Sequence, residues 1–272
     1  MTSPSRPRVS TPDDFNSDHF GQAAVAVRVH VEGKQSEHPL HRHRKGQLIL
    51  MLQGSVTCEV PQALWFVPPQ HAVWIPGGTP HSSRASSNAQ LYFLFIEPGA
   101  VRMPDNCCTL AITPLIRELI RHLAQEEPAY SRGSSTDRLV SVLLDQLAAA
   151  PIEQLHLPIS QEPSIKRILD ALTADPADRT TLSQWSARLA MSDRTLARLV
   201  VRETGLTFGR WRQQLHLIVA LRHLANGESV QRVSGLLGYD SVTAFITMFK
   251  KALGKSPTQY FASLRESSST AD

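Results

Sequence analysis

The sequence has little cysteine, no long apolar run and no leader-like N-terminus. Its three cysteines, Cys58, Cys107 and Cys108, are an odd number without a CxxC spacing, so we expect reduced thiols rather than a disulfide framework or a thiol-based zinc motif. No apolar stretch approaches the ~20 residues that span a bilayer, and we expect no membrane association. Residues 1–11 are rich in Ser, Pro and Arg and lack the apolar segment of a secretory signal. These absences predict a soluble, cytoplasmic protein.

The distribution of charge is uneven along the chain. At 272 residues the sequence is too long for one average domain, and two domains are expected. Residues 160–265 hold 15 Lys and Arg against 8 Asp and Glu, whereas the rest of the chain holds 13 against 16. A basic C-terminal part favours a polyanionic partner for that part alone, although an imbalance of this size is also common on an ordinary solvated surface.

The hydrophobic pattern divides the chain into five segments. Residues 1–20 lack periodicity and are predicted to form a flexible arm. Residues 21–100 contain short β-type runs separated by Gly and Pro, which predicts an antiparallel barrel or sandwich. These runs are 25–31, 47–52, 56–60, 63–67, 72–75 and 90–96. We expect a helical connector or dimerisation region at 105–150, a proline-containing linker at 151–163, and an all-α domain at 164–265.

The two helices expected within 105–150 carry apolar stripes that need cover. The stripes comprise Leu115, Ile116, Leu119, Ile120 and Leu123 on the first helix and Leu139, Leu143, Leu144 and Leu147 on the second. They can pack on the β domain, or they can meet a second copy of the chain in a homodimer. The sequence leaves both arrangements open.

The segment 182–203 has the pattern of a helix-turn-helix unit. Thr181 and Gln184 match a capping box at the start of the first helix. Ser192 is a suitable N-cap for the second helix, and Gly205 lies where a left-handed C-cap is expected. The second helix of such a unit can enter the major groove of DNA.

The pattern returns about 48 residues later, over 230–253. Ser229 caps the first helix of this copy, Gly238 opens its turn, and Ser241 starts its second helix. One such pattern also describes ordinary packed helix pairs, but two copies in register within a basic segment favour DNA binding. Rigidly spaced, the two units could read successive major-groove faces about 34 Å apart.

The outward residues of the two second helices are the candidate DNA contacts. Arg194 and Arg198 lie four apart on one face and are suited to guanine edges, with phosphate contact or pairing with Asp193 as the alternative. The other candidate base contacts are Thr195 and Ala197 on the first helix and Val242, Thr243, Ile246 and Thr247 on the second. The second set carries no charge and is expected to discriminate less. The predicted phosphate contacts are Arg212, Lys250 and Lys251.

Residues 164–262 resemble the DNA-binding domain of the AraC/XylS family of bacterial transcription regulators. The most specific stretch is GYDSVTAFITMFKKALGKSPTQY at 238–260, and RTLARLVVRETGLTF at 194–208 resembles the first-unit counterpart. Val200 stands where the family commonly has Phe, but it remains apolar. The resemblance implies sequence-specific binding of double-stranded promoter or operator DNA as an activator or a repressor, with RNA polymerase as a partner of an activator.

Histidines in the first domain form two further motifs. His41-Arg-His43, followed by Gln47 and Gly54, resembles the first cupin motif, and the stretch 76–81, ending at His81, resembles the second. Together these motifs are similar to the cupin-type (RmlC-like) sensor domain joined to many AraC-like regulators. Because alternate strand residues share a face, His41 and His43 are expected to point together into the barrel, with His81 across the sheet.

Three uses of this cluster remain open at this point. Three neutral histidines can bind a divalent metal, but Gln47 stands where metal-binding cupins usually carry Glu. Alternatively the histidines hydrogen-bond an organic effector in a pocket that includes Gln47 and Trp74, or they serve packing. The sequence therefore predicts a small-molecule-controlled DNA-binding regulator that is not an enzyme. The alternative is a cupin metalloenzyme, similar to a three-histidine dioxygenase, with a DNA-binding tail.

Overall fold

The computed structural model describes residues 15–31, 36–67, 71–87, 89–153 and 155–262. The chain divides into two compact units. Unit 1 combines the residues up to Val60 with Phe66–Gln154, and unit 2 combines Pro61–Trp65 with the residues from Leu155 onward. Within the described ranges, no helix has the length and apolar character needed to cross a membrane.

Unit 1 contains antiparallel β-structure, as predicted, arranged in two separate sheets rather than one closed barrel. Its strands are β1 (Ala24–His30), β2 (Ser36–His41), β3 (Gly46–Gln53), β4 (Val56–Val60), β5 (Ala63–Val67), β6 (His71–Ile75), β7 (His81–Ala85), β8 (Gln90–Ile96), β9 (Cys108–Ala111) and β10 (Ile152–Glu153). One sheet has the order β1-β8-β3-β6-β9-β10, and the other places β7 between β4 and β2. The first three residues of β5 group with unit 2.

Two amphipathic helices cover one face of the six-stranded sheet. Helix α1 (Pro114–Leu123) is capped by Thr113 and helix α2 (Ser135–Ala148) by Ser134. The helices pack against the sheet through Ile116, Ile120, Leu123, Val140, Leu143, Leu144 and Leu147, which are all buried in one core. Each such side chain contributes roughly 1.5–3 kcal/mol by leaving water. Both stripes therefore pack on the β domain, one of the two arrangements left open by the sequence, except for Leu115, which is 51% exposed.

Two predicted irregular segments contain regular structure. The predicted linker carries β10, which pairs with β9, and β11 (His156–Pro158), which pairs with residues 63–65 inside unit 2. The described end of the predicted arm forms a 3₁₀ helix at Ser17–His19, next to which Phe15 stacks on Phe95 at 5.9 Å. The composition of these segments indicated loops, because composition gives no sign of strand partners that lie far away in the sequence. Residues 1–14 of the predicted arm lie outside the described residues.

Unit 2 is the predicted helical domain with two helix-turn-helix units. Its helices are α3 (Pro163–Ala174), α4 (Leu182–Arg188), α5 (Asp193–Thr204), α6 (Phe208–Ala225), α7 (Val230–Leu236) and α8 (Val242–Leu253). The pairs α4–α5 and α7–α8 form the two units, and α6 connects them. Helix α6 lies at the centre of the unit, with Trp211 1% exposed and Ala220 fully buried. The Trp211 indole N–H donates to the Pro158 carbonyl at 2.9 Å, which fastens α6 to β11.

Candidate DNA-binding helices and histidine cluster

The predicted helix caps of both helix-turn-helix units are present. Thr181 and Gln184 form a reciprocal capping box, with the Thr181 N–H donating to Gln184 Oε1 at 2.8 Å. The hydroxyls of Ser192 and Ser241 accept from backbone N–H groups in the first turns of α5 and α8. Both of these helices end at a glycine in the left-handed conformation. Local sequence signals thus set the bounds of both second helices.

The turn of each unit contains one residue in the left-handed conformation, which is an alanine in the first unit and a glycine in the second. Ala190 has φ +52° in the first turn, and Gly238 has φ +70° in the second. The residue after each donates its N–H back into the preceding helix, from Met191 to the Ser186 carbonyl at 2.9 Å and from Tyr239 to the Ser234 carbonyl at 3.1 Å. A left-handed alanine is strained, whereas a left-handed glycine is not.

The predicted base-reading residues of α5 lie on its outer face. Arg194, Thr195 and Arg198 are exposed, Ala197 is half-buried, and the helix packs inward through Leu196. Among the described residues neither arginine forms an ion pair, and the carboxylate of Asp193 instead accepts from the Ser186 hydroxyl. Both guanidinium groups are therefore available to another molecule.

The outer face of α8 is uncharged until its last turn. Thr243 and Thr247 are exposed, whereas Val242 and Ile246 are half-buried above the inward-facing Phe245. Lys250 and Lys251 are exposed at the end of the helix. Arg212, the third predicted phosphate contact, has partners within unit 2: its Nη1 donates to the Thr180 carbonyl at 3.3 Å, and its guanidinium lies over the Phe208 ring.

Arg179 joins the two helix-turn-helix units and was not recognised from the sequence. It lies just before α4, and its Nη2 donates to the Gly238 carbonyl and, at 2.6 Å, to Asp240 Oδ1 in the turn of the second unit. Gly238 also approaches Ala177 so closely that a Cβ on the glycine would lie 3.1 Å from its backbone. These contacts connect the second turn to the segment that precedes the first unit. No local sequence signal identifies a contact between residues about 60 positions apart.

The three predicted histidines of unit 1 come together. One ligand nitrogen from each of His41, His43 and His81 lies within 4.8 Å of the other two. The ring centroids are 4.3 Å apart for His41 and His81 and 5.1 Å for His43 and His81. His81 is 1% exposed, and its burial lowers the pKa of the imidazole to about 4, so that this ring is neutral at pH 7.

Backbone carbonyls orient all three imidazoles. Nδ1 of His41 lies 2.8 Å from the Pro39 oxygen, Nδ1 of His43 lies 2.6 Å from the Lys45 oxygen, and Nδ1 of His81 lies 2.9 Å from the Thr79 oxygen. The fourth member of the cluster is Gln47, whose Oε1 lies 3.1 Å from Nε2 of His43 and 2.9 Å from Nε2 of His81. The Nε2 atoms of these two rings therefore face a common point.

Strand alternation does not explain how His41 and His43 meet, so that part of the sequence argument was wrong. His41 ends β2, where a shift in register places it opposite His81, whereas His43 lies in the loop before β3. The Asp18 carboxylate holds this loop by accepting from the N–H groups of Arg44 at 2.8 Å and Lys45 at 3.2 Å. The loop, rather than a strand, orients the second histidine.

The second histidine motif packs directly on this loop. The Gly78 N–H donates to the His43 carbonyl at 2.8 Å. A Cβ at Gly77 would lie 2.1 Å from the Arg44 carbonyl oxygen, so only glycine permits this approach. The glycines thereby bring the strand that begins at His81 beside the loop.

Charged groups next to the cluster are paired with each other. Lys45 is completely buried, and its Nζ donates to the Gln22 carbonyl at 2.7 Å and lies 3.1 Å from Glu97 Oε2. Arg44 also contacts Glu97, and the hydrogen bond from Arg44 lowers the pKa of that carboxyl below its usual range. Glu97 therefore stays ionised and engaged, which makes it unsuitable as a general acid or base for the cluster.

Trp74 is not part of the cluster, and its assignment to the pocket is corrected. On β6 it pairs with Leu48 and with Cys108, and it belongs to the core beneath α1 and α2. Gln47, one position from Leu48 on β3, faces the opposite side of the sheet. The Trp74 indole N–H donates to the Pro104 carbonyl at 2.8 Å. Phe95, which the sequence argument left out, is the aromatic neighbour, with its ring 5.2 Å from that of His43.

Comparison with known proteins gives matches to both units. Residues 25–148 match the AraC-like ligand binding domain family, and residues 185–263 match a helix-turn-helix domain family. The HTH-type transcriptional regulator NimR of Escherichia coli is 52% identical over 250 residues, which are 92% of each chain.

Two more distant matches cover different parts of the chain. RipA of Corynebacterium diphtheriae, also an HTH-type transcriptional regulator, is 31% identical over 121 residues, or 44% of this chain and 34% of RipA. The solved structure of ToxT from Vibrio cholerae aligns with 87% of this chain and 96% of its own at 10% identity, with a TM-score of 0.37.

Proposed function

The chain belongs to the AraC family of helix-turn-helix transcription regulators, and from this premise we propose that α5 and α8 bind operator DNA under the control of an effector at the histidine cluster. The observation that supports DNA binding best is the outer face of α5, where two exposed arginines four positions apart form no ion pair with any residue that the structure describes. The support for effector binding is that half-buried His43 lies beside the buried His81 and Gln47 within the ligand-binding domain.

The two recognition helices, α5 and α8, present different chemical groups to the base pairs. Arg194 and Arg198 each present a guanidinium that can bond to O6 and N7 of a guanine. Thr243 and Thr247 present hydroxyl and methyl groups, and the Thr247 hydroxyl already donates to the Thr243 carbonyl at 2.9 Å. We expect strong selection for G·C pairs opposite α5 and weaker selection opposite α8. Lys250 and Lys251 contact phosphates and hold the second unit on the duplex.

The test is selection of random duplexes by the purified protein, followed by affinity measurements on the selected site. Arg198→Ala should cost about 1–3 kcal/mol on that site and relax the preference at one base position. Lys251→Ala should weaken specific and random DNA alike and lower the salt slope by about one unit. Arg202→Ala is the matched control, because Arg202 is exposed on the same helix but lies beside Glu203. Equal losses from Arg198→Ala on specific and random DNA would refute base readout.

We further propose that the chain forms a homodimer and acts in the cytoplasm. Leu115 on α1 is 51% exposed and Val142 on α2 is 48% exposed, and these exposed apolar side chains support a homodimer in which the outer faces of the two helices meet. A dimer would present four helix-turn-helix units to a repeated operator.

The regulator acts in the cytoplasm, where the promoter is, and as an activator it would also contact RNA polymerase. The pairing of Glu97 with Arg44 and Lys45 favours a binding role over an enzymatic one for the cluster.

A further inference from the structure

Helix α6 connects the two helix-turn-helix units, and it packs on α5 of the first unit and on α7 of the second. Recognition helices that lie in successive major grooves are about 34 Å apart. A rotation of about 5° over this span moves the second helix by roughly 3 Å, which is close to the rise of about 3.4 Å per base pair. A small change in the angle between the units is therefore enough to shift α8 by one base pair relative to α5.

The space between the two helix-turn-helix units is not filled by packed side chains. A cavity of about 500 Å³ is bounded by the segment 177–179 before α4, by one face of α6, and by the second turn together with α8. Side chains that line a void lose part of the contacts that keep a close-packed interior rigid. Polar contacts across this region therefore have a large share in fixing the angle between the units.

Two polar contacts link α6 to the segments on either side of the cavity, and both are long. Nη1 of Arg212 donates to the Thr180 carbonyl at 3.3 Å. Nδ1 of His216 lies 3.3 Å from the Tyr239 hydroxyl in the second turn. Hydrogen bonds from N–H groups to oxygen are typically about 2.9 Å long, so these two contacts are weak restraints.

Arg179 links the two helix-turn-helix units directly, without α6. Its Nη2 donates to the Gly238 carbonyl and, at 2.6 Å, to Asp240 Oδ1. Hydrogen bonds between charged partners are shorter and stronger than those between neutral ones. Because Asp240 immediately precedes Ser241, the N-cap of α8, the Arg179 link acts at the start of the second recognition helix.

We infer that Arg179 is a positioning residue for DNA recognition: its bonds to Gly238 and Asp240 fix the angle between α5 and α8 and thereby restrict the operator to one spacing of its two major-groove contacts. The inference rests on the proposed DNA binding by these two helices. The side chains of Arg179 and Asp240 are 63% and 85% exposed. Because exposed ion pairs are weak, we expect loss of the link to change spacing selectivity by about two- to fivefold. Arg179 needs no contact with DNA for this role.

The affinity of the full chain for duplexes of altered spacing tests this role. The duplexes are the preferred site from random selection and versions with one base pair inserted or deleted between its two contacted segments. For the wild-type chain we expect affinity to fall about tenfold or more at each altered spacing. Arg179→Ala should reduce this spacing penalty by about two- to fivefold. Arg232→Ala is the matched control and should keep the wild-type penalty, because Arg232 is 77% exposed but pairs with Glu228 at the start of α7 rather than with the first unit.

The ratio of affinities at the two spacings separates positioning from other effects. A loss of stability or of positive charge weakens binding at every spacing and leaves this ratio unchanged. Asp240→Ala should also reduce the spacing penalty, and Arg179→Ala combined with Asp240→Ala should do no more than Arg179→Ala alone, because both remove the same link. A wild-type spacing penalty in Arg179→Ala, or effects of the two substitutions that add, would overturn the inference.

Spin labels measure the Arg179 link without DNA. Ala187 on α4 and Ala252 on α8 are exposed, and both can be replaced by Cys in a chain that carries Cys107→Ser. Arg179→Ala should broaden the distribution of distances between the two labels, whereas Arg232→Ala should not, and an unchanged distribution in Arg179→Ala overturns the inference. If the distribution broadens but random selection yields no preferred duplex, Arg179 still fixes the two helices and the proposed DNA recognition fails. If a preferred duplex is found and its spacing penalty is the same in both variants, DNA recognition stands and the positioning role fails.

Discussion

Exchanging the left-handed residues of the two turns should change stability in opposite directions. Ala190 adopts φ +52° and Gly238 adopts φ +70° in equivalent turns. A left-handed conformation costs an L-residue about 1–2 kcal/mol, which Ala190→Gly would recover. Glycine also increases the entropy of the unfolded chain, which costs about 0.4–1 kcal/mol. The expected net result for Ala190→Gly is a stabilisation of about 0.5–1 kcal/mol.

Gly238→Ala combines the same strain with a steric contact. The new Cβ would lie 3.1 Å from the Ala177 backbone, which cannot retreat as the end of a flexible side chain would. We expect a destabilisation of at least about 1 kcal/mol after the gain from the unfolded state. Arg179, which donates to the Gly238 carbonyl, should lose part of its contact with the second unit.

Urea unfolding of the full chain, followed by circular dichroism at helical wavelengths, measures both substitutions. Ala187→Gly is the control for the first, because it introduces glycine at a right-handed helical position of α4 and should destabilise. If Ala190→Gly is destabilising by more than about 0.5 kcal/mol, or if both turn substitutions shift stability in the same direction, the turn-strain argument is refuted.

Two further predictions concern unit 2. Burial, and then the charge of Arg212, lowers the pKa of His216 from 6.5 to about 4. The unfolded chain therefore takes up the proton first, and stability should fall as the pH falls from 6.5 to 4. His216→Gln should flatten this part of the stability–pH curve, and an unchanged slope would contradict the assignment. A fragment that begins at Leu155 should be more stable to urea than one that begins at Gln161, by about 1–3 kcal/mol, because Trp211 and Gln214 donate to the carbonyls of Pro158 and His156. Equal stabilities would mean that β11 does not support the helical unit.

The sequence predicted those elements whose signals are local. Capping residues such as Ser192 and Ser241 act within one turn of helix, so the bounds of α5 and α8 follow from a few neighbouring residues. Strands rich in apolar residues and bounded by Gly or Pro, such as β4 and β5, were found at their observed ends. The polar strand β7, with the sequence HSSRA, carries no such signal and owes its existence to its neighbours β2 and β4.

Features that depend on register or distant contacts were missed. Alternation along β6 shows which residues share a face, but only the pairing of Trp74 with Leu48 shows that this face is turned away from Gln47. The loop that contains His43 is held by Asp18. Its carboxylate accepts from the backbone N–H of Arg44, 26 positions further along the chain. The sequence therefore identified the members of the histidine cluster without the groups that hold them in place.

The division of β5 has a consequence for how such a chain is synthesised and how it can recombine. Ala63 to Trp65 lie in unit 2, where they pair with Pro158 to His156, so this strand leaves the ribosome long before its partner. The helical unit thus includes a segment, Pro61–Trp65, that is synthesised well before the rest of the unit. Within the unit, the Trp65 ring stacks on that of His156, with the ring centroids 4.5 Å apart. Gene fusions that exchange only the C-terminal part between relatives would leave Trp65 against an unmatched partner. Successful natural chimaeras should therefore carry residues 61–65 and 155–159 from the same parent.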